Sequence, residues 1–82
     1  MEDVRALRDG LVGECAVLFW AAQLGSDHDT ARGHARVRDA AGRLGLSRPP
    51  AVRAVRARPV LIQEWAAACG LIEREESRGG RV

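Results

Sequence analysis

Lysine and tyrosine are absent from this sequence of 82 residues, so that all 13 basic side chains are arginine. Such a bias is typical of a GC-rich bacterial genome, and we favour that origin over the selection of arginine for phosphate binding. The formal net charge of +2 is too small to indicate a nucleic-acid-binding protein. Only a local cluster of arginines would indicate one.

Cysteines are also few, and the two that are present, Cys15 and Cys69, form no CxxC pair. This spacing argues against a zinc knuckle and against a disulfide-rich secreted scaffold. The chain starts with Glu2 and Asp3, where an export signal would carry basic residues. Its longest apolar run, from Cys15 to Ala22, is far shorter than the ~20 residues that cross a bilayer. We therefore expect a cytoplasmic protein without a membrane segment.

Aromatic side chains are scarce, because only Phe19, Trp20 and Trp65 are present. The core must therefore be built mainly from alanine, valine and leucine, which favours helices packed closely on helices. The content of 46% hydrophobic and 29% charged residues predicts a folded chain. We expect a single domain over residues 1–76, followed by a flexible tail over residues 77–82. A domain this small often gains stability from a second copy or a partner.

The most secure predicted helix runs from Glu2 to Leu24. Its inward stripe follows steps of three and four residues: Val4, Leu7, Leu11, Cys15, Leu18 and Ala22. Val17, Phe19 and Trp20 add apolar side chains on the other faces, and we expect a second subunit to bury Trp20. Gly10 and Gly13 indicate either a close crossing by another helix or a kink. We predict an oligomer interface at Leu11, Leu18, Phe19 and Trp20.

Three further helices are predicted, which makes the fold class all-α with four helices. The second helix spans Thr30 to Leu44, is capped by Asp29 or Asp27, and has an inward face of Ala35, Val37, Ala41 and Leu44. A turn at Gly45 leads into a short helix that ends near Ala57. Pro59 then opens the last helix, which ends near Gly70 and carries the stripe Leu61, Ile62, Trp65, Ala68, Cys69 and Ile72.

The segment from Ala40 to Arg56 resembles the helix-turn-helix of bacterial transcription regulators. Ala41 and Gly45 have the spacing of the small residue and the turn glycine of that family, and Ser47 stands where the recognition helix begins. The segment from Ala67 to Arg74 is similar to the helix end that precedes the wing in winged proteins of the MarR type. The resemblance covers residues 40–82 and implies a short C-terminal β wing.

This resemblance implies that Ser47, Arg48, Arg53 and Arg56 contact duplex DNA, with Arg78 and Arg81 reaching the backbone from the wing. A dimer formed through the first helix would read two half-sites. The sequence departs from the family in two respects: Val52 and Val55 lie one residue late, and the stretch from Ser47 to Gly70 is several residues longer than in the family. Pro59 also interrupts the expected recognition helix. The same arginines are equally consistent with the solvated face of a helix.

Residues that could carry chemistry are few. His28, Asp29 and His34 do not share a helix face, and we expect exposed histidines rather than metal ligands. The cysteines lie on apolar stripes and should behave as small hydrophobic residues, whereas Glu14 should pair with an arginine of another helix. We therefore expect no enzymatic activity and no cofactor.

Two hypotheses follow. In the first, the protein is a small dimeric DNA-binding regulator; in the second, it is a helical protein interaction or oligomerisation module, or an accessory subunit. The backbone between Ser47 and Gly70 distinguishes them. A single helix that exposes Arg53 and Arg56 favours DNA binding, whereas two helices broken at Pro59 favour the interaction module.

Overall fold

The computed structural model describes residues 3–72, in which four α-helices and no strand are found. The helices are α1 (Val4–Gln23), α2 (Asp27–Arg43), α3 (Val52–Ala57) and α4 (Val60–Ala68). The predicted all-α class with four helices is confirmed. The predicted wing and the tail fall on residues 73–82, outside the described part of the chain.

Helices α1 and α2 form an antiparallel hairpin with a short connection. At its end, the N–H of Gly25 donates to Ala22 O and that of Ser26 donates to Ala21 O, which is the Schellman arrangement. The side chain of Ser26 then accepts the N–H of Asp29 at 3.3 Å and caps α2. The predicted caps, Asp29 and Asp27, were therefore wrong, and α2 begins three residues earlier than Thr30.

The hydrophobic core forms around α1, and this helix contacts each of the other three helices. Its buried residues come from all four helices: Leu11, Cys15, Leu18, Val37, Ala41, Val55, Ile62, Trp65 and Ala66. A Cβ added to Gly33 would lie 3.4 Å from the Cα of Leu18, so this glycine permits the close approach of α1 and α2.

Three predicted inward positions point to solvent instead. Ala35 on α2, Ala68 on α4 and Val4 at the start of α1 are exposed. Thr30 and His34 take the buried side of α2, and Ala66 takes that of α4. A polar sequence such as α2 defines its inward face weakly, because the few apolar residues fit more than one stripe.

The turn after α2 follows its prediction, but the segment beyond it does not. Gly45 has a φ of +70°, in the left-handed region that glycine adopts at low cost. The next helix begins at Val52, so the prediction that Ser47 starts a helix is wrong. Pro49 and Pro50 explain this difference, because proline disfavours a helical conformation in the residue before it.

The path from Ser47 to Gly70 contains two helices. Helix α3 ends at Ala57 and α4 begins at Val60, so the predicted break at Pro59 is confirmed. Within residues 3–72 no helix combines the length and the apolar character needed to cross a membrane.

Candidate functional site

Part of α1 leaves large apolar side chains in solvent. Val17, Trp20 and Leu24 are 59%, 60% and 81% exposed, and their spacing of three and four residues places them on one side of the helix. We call these three residues the apolar patch. The ring of Phe19 packs edge-on against Trp20, with 5.5 Å between the centroids, while Phe19 itself contacts the core.

The predicted oligomer interface is therefore only partly available. Phe19 is half-buried and Trp20 is exposed, but Leu11 and Leu18 are completely buried in the core of the chain. Their assignment to a surface was wrong, because α1 uses that side to contact α2 and α4. The exposed apolar side chains lie on another face of the same helix.

An open groove of about 500 Å³ runs between α1 and α2, beside the apolar patch. Gly10, Gly13 and Val17 line it on α1, and Arg32 and Gly33 line it on α2. A Cβ added to Gly10 or Gly13 would meet no atom within 4 Å. No helix of the described chain crosses closely at these two glycines.

The groove also holds the ion pair expected for Glu14. A carboxylate oxygen of Glu14 lies 3.7 Å from Nη1 of Arg36 on α2, so the predicted pairing with an arginine of another helix is confirmed. The side chain of Arg36 is 61% exposed, and such pairs contribute little to stability. Arg32, at the same groove, has no ion pair or hydrogen bond with the described residues.

The segment from Ala40 to Gln63 contains five arginines and no acidic residue. The side chains of Arg48, Arg53 and Arg58 are exposed and make no ion pair or hydrogen bond with the part of the chain described here. Arg56 on α3, in contrast, pairs with Asp27 at the start of α2 at a distance of 3.5 Å. Of the arginines predicted to contact DNA, Arg48 and Arg53 thus have no side-chain partner within residues 3–72, whereas Arg56 forms an ion pair with Asp27.

Ser47, the fourth predicted DNA contact, has partners inside the molecule. Its Oγ accepts the indole N–H of Trp65 at 3.3 Å, and it lies 3.6 Å from Sγ of Cys69. This hydroxyl satisfies the only polar atom of a buried tryptophan side chain. Ser47 thereby joins the segment between α2 and α3 to α4.

His34 is buried, which the sequence did not reveal. It is 9% exposed, and its Nε2 lies 2.7 Å from the carbonyl oxygen of Pro50. The expectation of an exposed histidine was wrong, since the ring attaches the proline pair to α2. Within residues 3–72, no three His, Cys, Asp or Glu side chains are placed so that they could hold a metal ion.

Cys15 lies in the core, as its apolar stripe predicted. Burial, as the largest cause, together with the nearby Cys69 and Glu14, raises the pKa of its thiol from 9.0 to about 11. A thiol with so high a pKa is almost wholly protonated at neutral pH. It is therefore a poor nucleophile and a poor metal ligand.

The part of the chain from residue 3 to residue 72 thus offers two surfaces: the apolar patch with its adjoining groove, and the arginines around α3. The comparisons with known proteins add no candidate, because no family model, no curated protein and no solved structure matches this chain.

Proposed function

We propose that this chain is a non-enzymatic helical module that self-associates through the apolar patch of α1. The observation that carries the proposal is the exposure of Val17, Trp20 and Leu24 on one side of one helix. Single exposed apolar residues are ordinary, but contiguous apolar patches mark interaction surfaces. The break of the chain at Pro59 also favours the interaction module over the helix-turn-helix.

The size of the patch supports association of moderate strength. Trp20 alone exposes roughly 150 Å² of side chain, which at ~25 cal/mol/Å² corresponds to at most about 4 kcal/mol on complete burial. In a two-fold dimer, the Trp20 side chains of both copies become buried. Part of the gain offsets the lost translational and rotational freedom, so we expect a dissociation constant in the micromolar range.

Sedimentation equilibrium between about 1 µM and 1 mM tests the proposal. We expect a monomer–dimer equilibrium for the wild type and, for Trp20→Ala, a dissociation constant at least ~100-fold higher, because the loss is about 3 kcal/mol or more. Val60→Ala is the matched control, since Val60 is an exposed valine on α4. A wild type that is monomeric over the whole range would refute the proposal.

A second candidate function, duplex DNA binding, is favoured by one observation: the side chains of Arg48, Arg53 and Arg58 are exposed, have no ion pair within residues 3–72, and lie in a segment without acidic residues. We rank it second, because α3 has only six residues and is short for a recognition helix. A dimer would present two such arginine clusters, so the two functions are compatible.

Anisotropy of a labelled 20-base-pair duplex, measured at several salt concentrations, tests the second candidate. Arginines that contact phosphate give an affinity that falls steeply with salt, and the double variant Arg53→Gln, Arg58→Gln should reduce the salt slope by about 1 to 2. Arg5→Gln, Arg38→Gln is the control with the same change of charge, because both residues are exposed and neither lines the groove. Absence of salt-sensitive binding at ~10 µM protein would exclude this function.

A further inference from the structure

The apolar patch is one half of a longer exposed line on α1. Six residues follow one another in steps of four and three: Ala6, Gly10, Gly13, Val17, Trp20 and Leu24. All six are exposed, and this alternation is the spacing of a seam between two packed helices. We call this line the outer seam. It spans roughly 27 Å at 1.5 Å per residue.

The outer seam is divided by side-chain size. Its first three residues are alanine and two glycines, and its last three are valine, tryptophan and leucine. One end of the helix therefore offers space, and the other end offers the side chains that could fill such a space. A surface with these two halves is complementary to itself when one copy is reversed.

Building on the self-association proposed above, we propose that a second copy lies antiparallel on the outer seam. In this register Leu24 of each copy packs over Ala6 of the other, Trp20 over Gly10, and Val17 over Gly13. The two-fold axis passes between Gly13 and Val17. Each large side chain then meets a small one, and the helix dipoles oppose each other favourably.

A parallel pair has no comparable fit. Parallel alignment in register would place Trp20 against Trp20 and Gly10 against Gly10. One end would then be crowded while the other retained a gap without contact atoms, and helix interfaces require packing along their whole length. The division of the seam by size thus selects the antiparallel orientation.

Within residues 3–72, the two glycines of the seam make no close contact that would explain their cost in helix stability. Glycine in a helix is less favourable than alanine, and neither Gly10 nor Gly13 has an atom within 4 Å of its absent Cβ. Gly33 differs, because its missing side chain permits a contact with Leu18. Close approach by a second copy explains the two seam glycines in the same way.

The groove between α1 and α2 receives the incoming helix. Its volume of about 500 Å³ lies over Gly10 and Gly13, where the proposal places Trp20 and Val17 of the second copy. Arg32 on the wall of the groove has no partner in the described chain, and its guanidinium can stack on the incoming indole. The second copy thus contacts α2 as well as α1.

The available area agrees with a dimer of modest affinity. The three large side chains expose roughly 300 Å² per copy, and each covers a similar area of the surface that it meets. Counting both halves of both copies gives about 1,200 Å², at the lower limit for specific interfaces. The Glu14 carboxylates of the two copies do not face each other, because Glu14 lies opposite Ala16 of the second copy in this register.

The decisive test is Gly10→Leu, measured by sedimentation equilibrium against Gly42→Leu. Both changes replace an exposed helical glycine with open space at its Cβ, but Gly42 is on α2 and away from the seam. We expect Gly10→Leu to raise the dissociation constant at least tenfold, because leucine occupies the place of Trp20, and Gly42→Leu to leave it unchanged. Tighter association of Gly10→Leu would overturn the proposal, since added apolar surface strengthens any unspecific contact.

Disulfide trapping fixes the orientation independently. In a Cys15→Ala, Cys69→Ala background with helicity confirmed by circular dichroism, single cysteines replace Ala6 in one preparation and Leu24 in another. The antiparallel register predicts rapid cross-linking only when the two preparations are mixed, whereas a parallel pair would link each preparation to itself. A wild type without any dimer removes the proposed function, while a dimer that links in the parallel pattern removes only this register.

Discussion

Alkaline pH should destabilise the fold through a single residue, Cys15. The sequence has neither lysine nor tyrosine, arginine stays charged, and the α-amino group titrates near ~8, so that only thiols ionise between about pH 9 and pH 11. Burial, followed by the proximity of Cys69 and Glu14, raises the pKa of Cys15 from 9.0 to about 11. The thiol of the unfolded chain therefore loses its proton first.

The sign and size of the effect follow from this difference. Between pH 9 and pH 11 the folded chain holds a proton that the unfolded chain has released, so the free energy of unfolding decreases as the pH rises. Below pH 9 the contribution of the Cys15 thiol to the free energy of unfolding is retained. For a shift from 9.0 to about 11, the loss is about 1.4 kcal/mol at pH 10 and about 2 kcal/mol at pH 11.

Urea unfolding, followed by far-ultraviolet circular dichroism with a reductant present, measures this loss at pH 8, 9, 10 and 11. We expect the wild type to lose stability across this range, and Cys15→Ala to show a nearly flat profile from its own starting value. Cys69→Ala should retain most of the loss, because burial is the largest cause of the shift. Equal losses in the wild type and in Cys15→Ala would show that the core thiol is not responsible.

Four further substitutions can be tested by urea unfolding at pH 7. His34→Leu leaves the carbonyl of Pro50 without its partner and should cost about 1 to 3 kcal/mol; a cost below about 0.5 kcal/mol would contradict the role of the ring. Gly45→Ala should cost about 1 kcal/mol because of its positive φ, whereas Gly42→Ala, inside α2, should stabilise by up to about 1 kcal/mol. A greater loss of stability for Gly42→Ala than for Gly45→Ala would refute this assignment. Arg56→Ala should cost at most about 0.5 kcal/mol, because the pair is exposed, and a larger loss would show that it anchors α3.

The helices themselves could be predicted from the sequence, because their signals are local. The stripe of α1 repeats over several turns, Gly25, Gly45 and Gly70 end helices, and Pro59 separates α3 from α4. Such signals depend on backbone conformation within a few residues. They require no knowledge of what lies across the core.

The surface of α1 was harder to predict. The sequence shows apolar residues on more than one side of the helix, but it does not show which side the rest of the chain covers. Leu18 and Trp20 are only two residues apart, yet one is completely buried and the other mostly exposed. That choice depends on the positions of α2 and α4.

Two contacts between distant residues were not predictable from the sequence. The links from His34 to Pro50 and from Ser47 to Trp65 join positions 16 and 18 residues apart in sequence. Neither follows a helical repeat, and each decides the role of a residue that appeared available to metal or to DNA. The structure therefore corrected more of the predicted site residues than of the predicted helices.

The hairpin of α1 and α2 has a consequence for the order of folding. Its two helices are joined by three residues, so bringing them together loses little chain entropy, whereas α4 must return to α1 across the whole of α2 and α3. Contacts that are local in sequence form fast. The hairpin should therefore assemble first, and α4 should dock later on a hairpin whose inward residues, Leu11 and Leu18 among them, are already aligned. In hydrogen exchange, the amides of α4 would then be the first of the long helices to open, while those at the centre of α1 would be the last.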